Sequence, residues 1–273
     1  MRTLDDKVVA ITGAGSGIGR ALAVHAAELG AVLALSDWDE TGLAETARLA
    51  GDRTDRALRT DRLDVRDRQA VHDYADSVRS RFGRVNVIVN NAGVTLLGGF
   101  EEVDLEDFQW VVDVDFWGVV HGTKAFLPHL VESGDGHVVN VSSLFGLMAM
   151  PGQTAYNSAK FAVRGFTEAL RQEMLVDRRP VQVTCVHPGG VRTGIVRNAR
   201  ATGSQDRDEM ARRFDASLAR TTPERAAEII VAGVLADKPR VLVGNDAKAL
   251  DLLVRLLGAR YQRLGALLSR RLR

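Results

Sequence analysis

The chain has a single cysteine, Cys185, in 273 residues. One thiol forms no internal disulfide, and a multi-cysteine zinc site is excluded with it. No apolar run approaches the length of a membrane-spanning helix, roughly 18 residues or more. Met1–Lys7 carries neither an apolar stretch nor a cleavage site, so the expectation is a protein of the reducing cytoplasm. An excess of charge of one sign is also missing: 36 basic residues face 35 acidic ones, net +1. That balance gives no support to nucleic-acid binding. Low-complexity linkers and internal repeats are absent. What is present is an ordinary globular mixture, 45% apolar and 26% charged, at a length that suits one α/β domain.

Strand-like and helix-like stretches alternate along the chain. Apolar runs at Val8–Thr12, Ala31–Ser36, Val85–Val89, His137–Val141, Val181–Val186 and Val241–Val243, with a weaker one at Thr60–Val65, predict seven strands. Helical spacing over Ile18–Leu29, Asp39–Ala50, Asp67–Phe82, Leu105–Val131, Ala155–Leu175 and Pro223–Leu235 separates them. Continuous Val/Ile/Leu strands between helices indicate a doubly wound parallel sheet covered on both faces, in one domain over residues 1–245. Residues 194–222, with the charged stretch Arg197–Arg220, are expected to form a lid.

Thr12-Gly13-Ala14-Gly15-Ser16-Gly17-Ile18-Gly19 lies between the first strand and the first helix. Glycines let the backbone turn tightly against a pyrophosphate, and the helix N-terminus offers free N–H groups and its positive dipole end. Asp37 follows the second strand. Its distance from Gly13 is near the spacing of a ribose-binding acid, about 20 residues beyond the glycines. A carboxylate there accepts from the ribose hydroxyls and repels a 2′-phosphate. No cation stands at Ser16 or Trp38, so the cofactor reading is NAD.

Tyr156 and Lys160 stand at i and i+4, on one face of a helix. A phenol ionises near pH 10, and an adjacent ammonium lowers that value toward a range useful for alcohol–ketone proton transfer. Ser143 ends the fifth strand and is placed to hydrogen-bond a substrate oxygen.

Together these residues resemble the short-chain dehydrogenase/reductase family in its ordinary single-domain form, with a Rossmann-type sheet, over Lys7 to about Val243. The family's Thr-Gly-x-x-x-Gly-x-Gly is Thr12 to Gly19, its Asn-Asn-Ala-Gly is Asn90 to Gly93, and its Tyr-x-x-x-Lys is Tyr156 and Lys160. Its serine precedes the tyrosine at a set spacing, which falls on Ser143 rather than Ser142. Its Pro-Gly with a following threonine is Pro188 to Thr193.

The resemblance implies that Tyr156 is the general acid/base, that Lys160 holds the nicotinamide ribose and lowers the Tyr156 pKa, and that Ser143 polarises the substrate oxygen. It places Gly13, Ser16, Gly17, Ile18, Gly19 and Asp37 on the cofactor. Asp64 and Val65 would meet the adenine, and Asn90, Asn91, Ala92 and Gly93 would line the cofactor at the end of the fourth strand. Pro188, Gly189, Val191 and Thr193 would border the nicotinamide, the last two holding its carboxamide. It also implies a homodimer or homotetramer.

One position departs from the pattern. The family carries an asparagine in the long helix, at a set spacing before the serine, and that position is Asp115 here. An ionised carboxylate accepts hydrogen bonds but donates none. Asp115 is therefore read as a relay position with altered electrostatics beside Lys160. His187 reads as a strand-end packing or hydrogen-bonding residue, and no metal is predicted.

Leu96, Leu97, Leu144, Phe145, Leu147, Met148, Met150, Ile195 and Val196 fall on segments that border the nicotinamide in such a fold. They point to a small hydrophobic alcohol or ketone as substrate. Beyond Gly244, Leu250, Leu253, Val254, Leu257, Tyr261, Leu264, Leu267 and Leu268 keep helical spacing. Residues 245–273 carry seven basic and two acidic residues, net +5, which leaves −4 for the rest of the chain. This basic amphipathic extension, 246–273, reads first as a packing or oligomerisation element. Its second reading is a membrane-surface contact suited to a lipid ketone. The functional reading is an NAD(H)-dependent oxidoreductase; a catalytically silent dinucleotide-binding sensor is the alternative.

Overall fold

The computed structural model describes residues 1–203, 207–214, 216 and 219–272. Seven strands form one parallel sheet: β1 (Val8–Thr12), β2 (Val32–Asp37), β3 (Leu58–Arg62), β4 (Val87–Asn90), β6 (Gly136–Val141), β7 (Val181–Pro188) and β9 (Arg240–Val243). Their spatial order is β3-β2-β1-β4-β6-β7-β9. The chain winds outward from β1 to β3, then crosses back to β4 and winds the other way. That reversal opens a crevice beyond the carboxyl ends of β1 and β4.

Both faces of the sheet are covered, which is why its central strands are buried along nearly their whole length. On one face lie α1 (Gly17–Glu28), α2 (Glu40–Gly51) and α8 (Pro223–Leu235). Leu22 and Ala26 of α1 and Ile230 of α8 pack there with Ile11 and Leu33 of the sheet. On the other lie α3 (Arg68–Phe82), α5 (Gly118–Glu132) and α6 (Thr154–Val176). Phe126 of α5 and Val71 of α3 meet Ile88 and Val138 of the sheet, and Tyr74 sits edge-on to Phe126. Side chains mark the helix starts. The Asp39 carboxylate accepts from Thr41 N–H, Asp67 from Ala70 N–H, and the Thr222 hydroxyl from Arg225 N–H.

Three expectations about the elements are corrected. The third strand lies earlier, at Leu58–Arg62 rather than Thr60–Val65. It is an edge strand, and Leu63 and Val65, whose apolar character extended the expected strand, are instead buried on the segment leaving the sheet. The long helix over Leu105–Val131 is broken in two. α4 (Leu105–Val112) passes into a π-turn, Asp113–Trp117, before α5 begins. The expectation ran one regular helix through this stretch, whereas a π-turn inserts an extra residue into it. The C-terminal extension is two helices, α9 (Asn245–Leu257) and α10 (Tyr261–Leu272), joined by a short 3₁₀ turn.

Within the expected lid, β8 (Arg200–Ala201) pairs in parallel with β5 (Leu96–Leu97), and α7 (Arg207–Arg213) follows. Arg200 ties this segment to α4. Its Nη1 donates to Asp107 at 2.6 Å and its guanidinium lies 3.8 Å from the Trp110 ring centre. Residues 204–206, 215, 217 and 218 of the expected lid, and the side chains of Leu264 and Leu268, fall outside the described residues. Among the described residues no helix is long and apolar enough to cross a membrane.

Candidate active site

One cleft of about 2260 Å³ opens at the carboxyl ends of the strands. That is more than twice the upper end of the range for a single drug-sized ligand, about 1,000 Å³, and leaves room for two ligands. At one end the turn after β1 runs through Gly13, with φ +65°, and Gly17, with φ +53°. A Cβ on Gly13 would stand 2.7 Å from Ala92 Cα, so only glycine lets β1 and the β4 turn approach this closely. Ser16 caps α1 without a side-chain hydrogen bond. The first N–H groups of the helix therefore have no hydroxyl partner there, in a glycine cradle that fits a pyrophosphate.

Gly13, Ser16, Gly17 and Ile18 line this end of the cleft; Gly19 does not. It is buried behind the turn, where a side chain would collide with the Gly13 carbonyl. Asn91 of the β4 turn donates to the carbonyls of Thr12 and Gly13, both at 3.0 Å, clamping the turn from the far side. Asn91, Ala92 and Gly93 reach the cleft. Asn90 does not: its amide lies inside the protein, donating to Asn140 at 2.8 Å and Thr123 at 3.0 Å. That placement corrects its expected role as a cofactor-lining residue.

Asp37 ends β2 on the cleft wall. One carboxylate oxygen accepts from Gly15 N–H at 2.7 Å, the other from Asp39 N–H at 2.9 Å. The neighbouring cations are engaged elsewhere. Arg20 donates to the carbonyls of Gly15 and Gly42, Arg62 stacks 4.2 Å from the Trp38 ring centre, and Arg66 chelates Asp64. The Arg66 hydrogen bonds hold the Asp64 carboxyl below its ordinary range. Asp64 and Val65 line the cleft, with the Asp64 oxygens turned to Arg66 rather than left open toward an adenine.

At the other end, β6 and α6 bring three side chains together. Ser143 follows β6, and its Oγ accepts from Phe145 N–H at 3.1 Å. The hydroxyl hydrogen stays available for an oxygen in the cleft. Tyr156 and Lys160 lie in the first two turns of α6, both buried, with Lys160 Nζ 5.5 Å from the Tyr156 ring centre. Phe145 packs edge-on against Tyr156 at 6.2 Å. Pro188, at the end of β7, and Gly189, Val191 and Thr193 beyond it also line the cleft.

Asp115 is not on the cleft wall but directly behind it. The π-turn aims its carboxylate inward, where it is fully buried. One oxygen accepts from Val94 N–H at 2.7 Å, and the other pairs with Lys160 Nζ at 3.1 Å. Lys160 also donates to the Val141 carbonyl at 3.3 Å. Burial pushes the Asp115 carboxyl above its ordinary range against the pull of Lys160. Burial works to lower the Lys160 ammonium, but Asp115 and Tyr156 outweigh it and hold it above its ordinary range. Tyr156 is raised, first by burial and then by Asp115, while Lys160 and Ser143 oppose.

Other residues hold the site from behind. Buried His187 bonds through Nδ1 to the Ser143 carbonyl at 2.9 Å, and burial lowers its pKa to about 4. It is thus neutral, with Nδ1–H assigned as the donor because a carbonyl only accepts. Ser142 Oγ donates to the Lys160 carbonyl at 2.8 Å, tying β6 to α6. Burial pushes the Cys185 thiol up to about 12, which leaves it inert. Among the described residues no group of three His, Cys, Asp or Glu side chains is placed to hold a metal ion.

Apolar side chains share the cleft wall with polar ones such as Glu102, Gln153 and Arg213. The apolar ones include Phe145, Met148, Met150, Ile195 and Val196, joined by Leu250 of α9. Leu250, Leu253, Val254 and Tyr261 pack on Leu144 and Met148, and the Tyr261 hydroxyl accepts from Ala149 N–H at 3.0 Å. The α9–α10 extension is thereby seated against the segment between Ser143 and Tyr156. Sequence patterning alone marks no such contact, since Tyr261 and Ala149 stand 112 residues apart.

A family model described as short chain dehydrogenase matches residues 7–204. The chain is 56% identical over 266 residues to SadH of Mycobacterium tuberculosis, named as an oxidoreductase, covering 97% of this chain and 96% of that protein. It is 35% identical over 265 residues to the oxidoreductase YxnA of Bacillus subtilis, covering 97% and 71%. Among solved structures, a short-chain dehydrogenase/reductase from Burkholderia phymatum in complex with NAD superposes with a TM-score of 0.87 at 29% identity, covering 94% and 95%. Levodione reductase superposes at 0.79 with 28% identity, covering 90% and 99%. The sheet order, the glycine turn over the crevice and these likenesses together make the chain an oxidoreductase-type member of the short-chain dehydrogenase/reductase family.

Proposed function

We propose that the protein is an NAD(H)-dependent oxidoreductase that interconverts a hydrophobic secondary alcohol and its ketone. The observation that carries this reading is the convergence of Ser143, Tyr156 and Lys160 in the same cleft as the glycine turn and Asp37. The uncapped N-terminus of α1 would hold the pyrophosphate and Asp37 the adenosine ribose. Engagement of Arg20, Arg62 and Arg66 elsewhere leaves Asp37 to disfavour a 2′-phosphate, so NAD is preferred over NADP. NAD bound there supplies the acceptor for the carbinol hydrogen and its electron pair.

The chain's own residues handle the proton and the oxygen. Ser143 Oγ donates to the substrate oxygen and holds it beside Tyr156. In the oxidative direction the Tyr156 phenolate takes the hydroxyl proton; in the reductive direction the Tyr156 phenol returns it to the carbonyl oxygen. The Lys160 ammonium stabilises the phenolate, and Asp115 fixes and partly neutralises that ammonium. Phe145, Met148 and Leu250 exclude water and favour an apolar substrate.

Tyr156→Phe tests the reading. We expect NADH binding, read by its fluorescence, to persist while turnover of a panel of hydrophobic ketones falls by about 10²–10⁴-fold, the contribution of a positioned acid. Wild-type turnover in Tyr156→Phe would overturn the assignment, and a wild-type protein silent on every panel member would favour the sensor reading.

A further inference from the structure

We propose that the outward face of the α9–α10 extension binds an anionic lipid surface. The extension has two apolar faces. The inner one, through Leu250, Leu253, Val254 and Tyr261, is already used against Leu144 and Met148. The outer one carries Leu252, 58% exposed, Leu256, 77% exposed, and Leu267, 58% exposed. On α9, Leu252 and Leu256 are one turn apart, and Lys248 and Arg255 are exposed beside them. Exposed Arg260 and Arg263 continue the basic character to α10.

The acids of the extension decide what that face fits. The sequence from Asn245 to Arg273 has two, Asp246 and Asp251, and both are turned inward. Asp246 accepts from Gly190 N–H at 2.7 Å. Asp251 is buried, pairing with Arg240 at 3.6 Å and Arg255 at 2.8 Å. Among the described residues the outer surface therefore presents leucines framed by cations with no carboxylate between them. Leucine seats at the acyl boundary and Lys and Arg meet anionic headgroups, which is the chemistry of a helix lying on a membrane. The same face does not suit a second copy of itself, because a two-fold contact would set its cations against each other. Exposed leucines give nothing to a nucleic-acid backbone.

The test is co-sedimentation of the full-length protein with vesicles of phosphatidylcholine alone and of phosphatidylcholine mixed with phosphatidylglycerol. Catalysis is not needed for the readout, so this proposal stands or falls apart from the enzymatic one. We expect binding to the mixed vesicles, weaker by at least about tenfold on neutral vesicles and weakened further by salt. Leu252→Glu/Leu256→Glu should abolish it, and Arg260→Glu and Arg263→Glu should each weaken it by at least about fivefold. Equal binding to both vesicle types, no binding at all, or binding unchanged in the leucine double variant would overturn the proposal. So would a fall in oligomeric mass of that variant by light scattering, which would make the face a subunit contact, or capture of duplex DNA that the leucine changes leave intact.

Discussion

Asp115→Asn removes one buried negative charge and keeps an oxygen that can accept from Val94 N–H. Its effect on Tyr156 can be sized from the geometry. Lys160 Nζ lies 5.5 Å from the Tyr156 ring centre. At an effective dielectric constant of about 20, a unit charge at that range is worth about 3 kcal/mol, and it favours the phenolate. Asp115 lies 3.1 Å from the same ammonium and works against it, raising Tyr156. With that opposing charge gone, the variant should ionise Tyr156 at lower pH. The assay is the pH dependence of kcat/KM for alcohol oxidation, with NADH affinity measured alongside. The rise of the rate with pH should begin at lower pH, so that oxidation gains at fixed pH below the wild-type inflection. An unmoved inflection would refute the argument. A shift to higher pH would refute it differently: Lys160, stripped of its counter-charge, would then be losing its proton in the buried site. The variant also leaves a buried ammonium less compensated, and a loss of about 3–5 kcal/mol in stability should appear in urea unfolding.

Asp37→Ala should raise kcat/KM for NADPH by at least about tenfold relative to NADH, and an unchanged ratio would end the Asp37 argument for NAD. His137 and His187 are both held neutral, with burial lowering each to about 4. A depressed folded-state value means that their contribution is complete above the unfolded value of about 6.5 and is lost as pH falls toward 4. By pH 5 each should have cost about 2 kcal/mol of stability, and urea unfolding at pH 7 and pH 5 in wild type and His187→Gln would show it.

The sheet was legible because its central strands are rich in Val, Ile and Leu, as a sheet buried on both faces requires. The edge strand β3 was less so. Its residues alternate with charge, and the apolar pair Leu63 and Val65 is buried off the sheet. Spacing placed Asp115 in the helix before Ser143, but not its inward aim, which comes from the π-turn, nor its pairing with Lys160, which is tertiary. The Asn-Asn pair showed that two amides stand at the end of β4 without saying which faces the cleft. Hydrogen bonding across β4, β6 and α5 takes Asn90 into the interior and leaves Asn91 on the turn. His187 carried no signal beyond its place near a strand end; its partner, the Ser143 carbonyl, is 44 residues away. In the extension, the periodicity picked out the inner stripe of Leu250, Leu253, Val254 and Tyr261 but passed over the exposed Leu252 and Leu256 of α9.

The π-turn at Asp113–Trp117 fixes the length of its segment more tightly than its composition. Each helical residue turns the chain by about 100°, so a one-residue deletion that restored a regular helix would rotate everything beyond it by that amount. Phe126 and Leu130 would swing away from the sheet while α4 stayed in place, or Asp115 would leave Lys160 while α5 stayed. A change at the exposed Trp117 leaves that geometry in place, whereas a single-codon loss in the turn forces a choice between an intact core and an intact ion pair.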